Sequence, residues 1–356
     1  MSLLSIFSLS FSWASSVGVG GDYAIIQDAI DAAADGETIT IASGNYSECL
    51  DTLGKNVTFQ GSGSVFIDTS GCSLGDQNDH GINISLGEAV YFSDVSFENN
   101  DGGVFFVDSS SLFLSNVEVS DSGSNSTKGA AVYAINNANI DVSGSVFYNN
   151  GGTTSGTNTV KGAVVFLDDG AALNVHSGTI FDNNFAYQGG AIAGLDDVEI
   201  VIDDSSFTNN SVLSRGGAIL LYPTSSTSVN QLHISDSTFS SNTVYVQQSV
   251  SGSSGGAVYV TGITDVQILN TDFDNNSAKL DGGVAYFEGI AGTVEIDGCN
   301  FENNTADHYA GALHGRSDGS LAPTYFEISN SHFTQPSSAV CFGTGSDLCG
   351  SSGLGG

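Results

Sequence analysis

Short runs in which apolar and polar residues alternate recur along this chain, each ending at a phenylalanine. In V-E-I-V-I-D-D-S-S-F-T-N-N (Val198–Asn210), Val198, Ile200 and Ile202 alternate with Glu199 and Val201, a period of two that predicts a strand. Apolar residues recur seven and five places before each Phe: Ile140 and Val142, Leu232 and Ile234, Val266 and Ile268, Val294 and Ile296, Phe326 and Ile328. A helix repeats its inward face every ~3.6 residues and cannot hold that pattern.

Three places before each Phe stands Asp, Asn or Gly: Asp94, Gly144, Gly178, Asp204, Asp236, Asn270, Gly298 and Asn330. These residues accept left-handed backbone, so a corner between two strands is expected there. One place further, a small residue (Ser145, Thr179, Ser205, Ser237, Thr271, Cys299, Ser331) shares an inner face with the Phe that follows two residues later. Phe97, Phe147, Phe181, Phe207, Phe239, Phe273 and Phe301 then form an aromatic column, one ring per coil.

The most constant position is the Asn three residues after Phe, filled by Asn100, Asn150, Asn184, Asn210, Asn242, Asn276 and Asn304. An amide both donates and accepts, so stacked copies predict a structural ladder at a second corner. After a variable segment, Gly-Gly-Ala-[Ile/Val] opens a third strand, as at Gly189–Gly190 and Gly216–Gly217, with Gly-Gly-Val-Ala in its place at Gly282–Gly283. The unit repeats every roughly 22 to 34 residues, the mark of one supersecondary element stacked many times. Three short strands per coil, each entered through a corner, make an all-β parallel β-helix.

Upstream, Asp22–Ala34 carries Tyr23, Ile26, Ile30 and Ala33 on one side, an amphipathic helix halted at Asp35-Gly36. It would cover the open edge of the first coil, which begins at Thr38. Residues 17–37 read as an N-terminal cap, 38–335 as the β-helix and 336–356 as a Gly/Ser-rich tail. Residues 1–16, with the apolar run Leu3–Trp13 followed by Ala14-Ser15-Ser16, read as a secretory signal peptide. No later stretch approaches the ~20 apolar residues of a membrane span.

The segment A-I-x-A-A-x-x-G-x-T-I-x-I-x-x-G-x-Y within Asp22–Gly61, with K-N-V-T-F-Q-G after it, resembles the N-terminal cap and opening coils of pectate-lyase-like proteins. The F-x-x-N and G-G-A-[I/V] repeats resemble those of chlamydial polymorphic outer-membrane proteins and related bacterial surface proteins. Together the resemblances cover most of residues 22–335 and imply a single-stranded right-handed parallel β-helix with an N-terminal capping helix. They imply no single function, because that coil carries adhesins, lyases and passive surface proteins alike. Those outer-membrane proteins are similar to autotransporters, whereas no membrane barrel of alternating strands follows the repeats here.

Charge narrows the partners. The chain has 6 Lys and Arg against 39 Asp and Glu, a formal charge of -33. Nucleic acid is excluded as a partner, since phosphate binding needs a basic surface. Cations such as Ca²⁺ are attracted to such a surface, and the charge resists self-association, so a monomer is expected. Cys49 with Cys72, and Cys341 with Cys349, are placed to form bridges after export, leaving Cys299 as a small buried thiol.

Carboxylates are abundant, as at Asp168-Asp169, Asp196-Asp197 and Asp203-Asp204, but neighbours on a strand point to opposite faces, and turn chemistry accounts for most of them. The rare cations carry more information. Lys128, Lys161 and Arg215 each immediately precede a third-strand glycine, in a column that also holds Gln188, Asp281 and Tyr309, with His308 beside it. That column reads as a strip for a glycan or a carboxylate, with Arg215 or Lys161 as the candidate base if the site is catalytic; local compensation of the acidic ladder is the alternative. The segments Gly151–Lys161 and Thr243–Ser254 could wall a groove on that edge. The histidines lack metal-ligand spacing, although His308 and His314 could approach each other across a loop and strand. Two functions follow: a secreted or surface-displayed protein for adhesion, matrix or ligand display, binding carbohydrate or a matrix protein, or a polysaccharide lyase or hydrolase acting on acidic glycans.

Overall fold

The computed structural model describes residues 15–72, 80–123, 128–152, 164–245, 253–317, 325–334 and 340–344. Its strands wind into coils, and each strand pairs in parallel with its counterpart one coil away: Ile200 with Leu232, Phe207 with Phe239, Ile219 with Val258. The described strands gather into sheets of 21, 11 and 5 members.

One coil runs through Glu199–Asp203, Ser206–Thr208, Ser211–Arg215 and Ile219–Leu221. The first two segments belong to the largest sheet, the third to the five-stranded sheet and the fourth to the 11-stranded sheet. The sequence places three strands in a coil and a variable segment between Asn210 and Gly216. The structure puts a further short strand there, paired with Phe185–Gln188 and Thr243–Val244. Backbone N–H and C=O groups stacked one coil apart need partners whatever the side chains are, so the segment pairs despite its irregular composition.

Each expected corner has left-handed backbone. Asp94, Gly144, Gly178, Asp204, Asp236, Asn270, Gly298 and Asn330 have φ between 43° and 75°. A second left-handed corner falls on the first Asn of each Asn-Asn pair, as at Asn149, Asn183, Asn209, Asn275 and Asn303. The two asparagines therefore do different work: the first is exposed and turns the chain, the second is buried.

The buried Asn residues hydrogen-bond in one continuous ladder. Asn150, Asn184, Asn210, Asn242 and Asn276 each donate Nδ2–H to Oδ1 of the next, at 3.1, 2.9, 3.0, 3.0 and 3.0 Å, ending on Asn304. The other Nδ2–H of each reaches back to a carbonyl in the preceding coil, that of Val119 for Asn150 and of a Phe for the rest, as Asn210 does to Phe181 at 2.9 Å. Where the repeat degenerates, Ser122 stands in, accepting from Asn100 and donating its amide to Asn150. Beside the ladder, Phe147, Phe181, Phe207, Phe239, Phe273, Phe301 and Phe333 stack with centroids 4.6–5.2 Å apart. Val119 fills the rung between Phe97 and Phe147.

The glycine pair also divides its roles. Gly216 has φ of 64°, while a Cβ on Gly217 would lie 1.9 Å from the carbonyl oxygen of Gly256 in the next coil. The first glycine permits the turn and the second permits the coils to approach.

The N-terminal helix spans Ile26–Ala32, shorter at both ends than the amphipathic pattern over 22–34. Ile25 is extended, and the first free amides, of Ile26 and Gln27, donate to the Glu48 carboxylate at 2.9 and 3.0 Å. A distant acid thus sets the helix start. Ile26, Ala29 and Ile30 are buried, and the helix packs on the strands Ser15–Val17, Glu37–Ser47 and Leu50–Asp51. A disulfide joins Cys49 to Cys72. Cys341 is disulfide-bonded as well, and Cys349, its expected partner, lies outside the described residues. Cys299 is a buried free thiol.

Candidate functional site

The residue before each third-strand glycine sits at the junction of the 5- and 11-stranded sheets. Gln188 pairs with Arg215, the Gly216 amide donates to Ser254, the Gly255 amide to Asp281, and Asp281 bridges Tyr309. Gln188, Arg215, Ser254, Asp281 and Tyr309 therefore follow one another along this edge, one coil or ~4.8 Å apart. Lys128 belongs to the same column nearer the N-terminus, because Ala131, three residues on, pairs through its amide with Val164 and Val164 with Ala191. Lys161 lies outside the described residues, as do 153–163 and 246–252 of the two long segments expected to wall a groove.

The outer face of the 11-stranded sheet, next to this column, is apolar as well. Phe166, Ala193, Leu195, Leu220, Tyr259 and Tyr286 form a second buried cluster, with Tyr133 and Tyr222 packed against it. Reading the strands for one inward face missed this cluster. The signal was present as unbroken apolar runs (V-V-F-L, A-I-L-L, A-V-Y-V), which mark strands covered on both sides.

Lys128 and Arg215 both lie across this aromatic seam. The Lys128 ammonium is 5.3 Å from the Tyr133 ring centre and 4.9 Å from that of Phe166. The Arg215 guanidinium carbon is 5.5 Å from the centre of Tyr222 and 5.1 Å from that of Tyr259. These are cation–π distances. Among the described residues no carboxylate pairs with either cation, whereas Lys279 pairs with Asp307 and Arg316 with Glu288. Lys55 donates to the helix carbonyls of Ile30 and Asp31. The Nε of Arg215 is buried without a hydrogen bond.

Further along the edge the chemistry changes. Asp281 accepts from the Tyr309 amide at 3.2 Å and lies 3.2 Å from His308 Nδ1 and 3.6 Å from His314 Nδ1. His314 ends the outward aromatic column, packed edge-on to Tyr286. Burial lowers the His314 pKa, with the Asp281 charge opposing, so the ring is neutral at pH 7. The Tyr259 hydroxyl donates to Glu288, and burial pushes its pKa far above the ordinary phenol value, so it remains a neutral donor. Arg316 stands 3.8 Å from Glu288 and bonds Tyr286. The structure thus brings Asp281, His308 and Tyr309 together, adds His314, Tyr259, Tyr286, Glu288 and Arg316, and keeps Lys128, Gln188 and Arg215 as a separate stretch of the same edge.

Among the described residues no group of three or more His, Cys, Asp or Glu is arranged to hold a metal ion, so none marks a Ca²⁺ site. Asp196 is enclosed by Thr224, Ser225 and Ser228, which places it in a turn. A separate depression of about 350 Å³ is lined by Tyr46, Phe66, Asp68, Glu98 and Asn99 among others, with an acidic rather than a cationic rim. No helix among the described residues is long and apolar enough to cross a membrane.

A family model described as "Right handed beta helix region" matches residues 157–319. No curated protein sequence matches the chain. Among solved structures, the surface adhesin PfbA of Streptococcus pneumoniae is similar with a TM-score of 0.55 and 11% identity, over 90% of this chain and 88% of the adhesin. The pectin methylesterase of Aspergillus niger aligns with a TM-score of 0.36 and 14% identity, over 91% and 86% of the two chains. The alginate lyase of a Paenibacillus species gives 0.34 and 11%, over 86% and 94%. The chain is a right-handed parallel β-helix.

Proposed function

We propose that this protein is a secreted or cell-surface β-helix that holds an acidic glycan along the edge carrying Lys128, Gln188 and Arg215, without catalysis. One observation carries the reading. In a chain with 39 acidic residues and 6 basic ones, Lys128 and Arg215 rest on aromatic rings and pair with no described carboxylate. A cation seated against aromatic rings and paired with no carboxylate keeps hydrogen-bond donors for a carboxylate or sulfate from outside. The fold is shared by an adhesin and by glycan-active enzymes, so the choice rests on the site. Export is supported by the Cys49–Cys72 disulfide, which fits an oxidising compartment. The N-terminal helix serves as a cap over the first coils, and the repeats group the chain with bacterial surface proteins of the polymorphic outer-membrane kind.

A lyase or hydrolase is the second reading, favoured by the Asp281–His308 pair. A carboxylate accepting from one imidazole nitrogen leaves the other with a free lone pair to take up a proton, as a general base requires. Incubation with a panel of acidic polysaccharides separates the two. Retention of a polymer without new unsaturated or reducing ends supports display. Release of such ends, abolished in His308→Gln, would replace it with catalysis.

A further inference from the structure

Two coils beyond Arg215, the same edge carries a cluster whose net charge depends on protons. Asp281 lies between two imidazoles, His308 at 3.2 Å and His314 at 3.6 Å. His314 is 9% exposed and its Nδ1 has no hydrogen-bond partner, whereas His308 and Arg316 are 56% and 55% exposed. Tyr286 and Tyr309 face His314 with their rings, and Cys341, opposite it in the next coil, is disulfide-bonded and does not titrate. The charged groups around the pair are Asp281, Glu288 and Asp307 against Lys279 and Arg316. With both imidazoles neutral that is three negative charges and two positive, a net of minus one; with both protonated it is plus one.

We propose that Asp281, His308, His314 and Arg316 form an acid-gated anion site, which extends the glycan-binding edge toward the C-terminal coils and takes sulfate or carboxylate groups as the pH falls toward about 5. Neutral imidazoles leave Asp281 and Glu288 to repel an incoming anion. Protonation lets each imidazole donate to one Asp281 oxygen, cancelling its charge, and leaves the exposed Arg316 and His308 to face the ligand. This inference rests on the glycan-binding reading of the edge, yet depends on different residues from Lys128 and Arg215.

The test is titration of the whole chain with dextran sulfate, whose charge is constant over the range, at pH 7.5 and pH 5. A unit charge met at ~4 Å in water is worth about a factor of five in affinity. Wild type should therefore bind at least about fivefold more tightly at pH 5. His308→Gln, at an exposed position that leaves the fold intact, should lose most of this gain and retain the affinity at pH 7.5. Lys128→Gln/Arg215→Gln should lose the affinity at pH 7.5 and retain the gain. A gain in acid without binding at pH 7.5 would sink the neutral strip and leave the gated site standing. A gain that survives unchanged in both His308→Gln and His314→Gln, or no gain in wild type, overturns the proposal.

Discussion

Replacing Asn210 by Leu removes one rung from the buried amide ladder while leaving a side chain of similar size, so the effect reports hydrogen bonding rather than a cavity. Asn210 Oδ1 accepts from the Asn184 amide at 3.2 Å and from Asn184 Nδ2 at 2.9 Å. Its Nδ2 donates to the Phe181 carbonyl at 2.9 Å and to Asn242 Oδ1 at 3.0 Å. Three of these four partners keep a second bond after the change: Asn184 Nδ2 to Phe147, Asn242 Oδ1 from the backbone of residue 210, and the Phe181 carbonyl through its parallel ladder with Ser206–Thr208. The Asn184 amide loses its partner. At about 1–3 kcal/mol for a buried group left unsatisfied, the loss comes to about 2 kcal/mol. Equilibrium urea unfolding followed by circular dichroism measures it. Asn209→Gly is the control, since Asn209 is exposed at φ of 54° and glycine takes that conformation freely. Its stability should stay within about 0.5 kcal/mol of wild type. A loss below about 1 kcal/mol for Asn210→Leu, or equal losses for the two variants, would refute the division of labour between adjacent asparagines.

Phe207→Ala opens a cavity between Phe181 and Phe239, both stacked on Phe207 at 4.7 Å, and should cost about 3–5 kcal/mol in the same assay; a loss under about 1 kcal/mol would contradict close packing of the column. The Cys299 thiol is buried and its pKa is pushed up to about 11 by that burial, so a thiol reagent at pH 8 should label it only after unfolding, and rapid labelling of the native chain would contradict its placement. Because burial lowers His314, the unfolded chain takes up a proton there before the folded chain does. Its contribution to stability is complete above about pH 6.5 and falls as the pH drops through the lowered value, so His314→Gln should flatten the decline in Tm between pH 7.5 and 5. An unchanged slope would show that His314 is not a determinant of the acid sensitivity.

The columns that recur at fixed distances from Phe were legible because each coil repeats the same local demand. Asp204, Asp236 and Asn270 occupy left-handed corners that few residue types accept, and Asn184 to Asn304 share a buried slot that only an amide satisfies on both sides. The strand Ser211–Arg215 was hidden because its pairing comes from the backbone, whereas its side chains follow no shared pattern with Phe185–Gln188. Arg215 was legible from its place before a glycine, but its seat on Tyr222 and Tyr259 was not, since those rings arrive from an insertion and from the next coil. Glu288 and Tyr259 meet across 29 residues of chain and share no motif. The helix began later than its apolar pattern because Glu48, outside that pattern, caps it.

The claim that matters most is that Lys128 and Arg215 are kept for an external anion. Isothermal titration of wild type and Lys128→Gln/Arg215→Gln with dextran sulfate at pH 7.5 tests it directly. Wild type should bind with an affinity that falls as salt rises, and the double variant should bind about 25-fold more weakly, from two lost charges at about fivefold each. Equal affinity in the two proteins, or no binding by wild type at low salt, would contradict it.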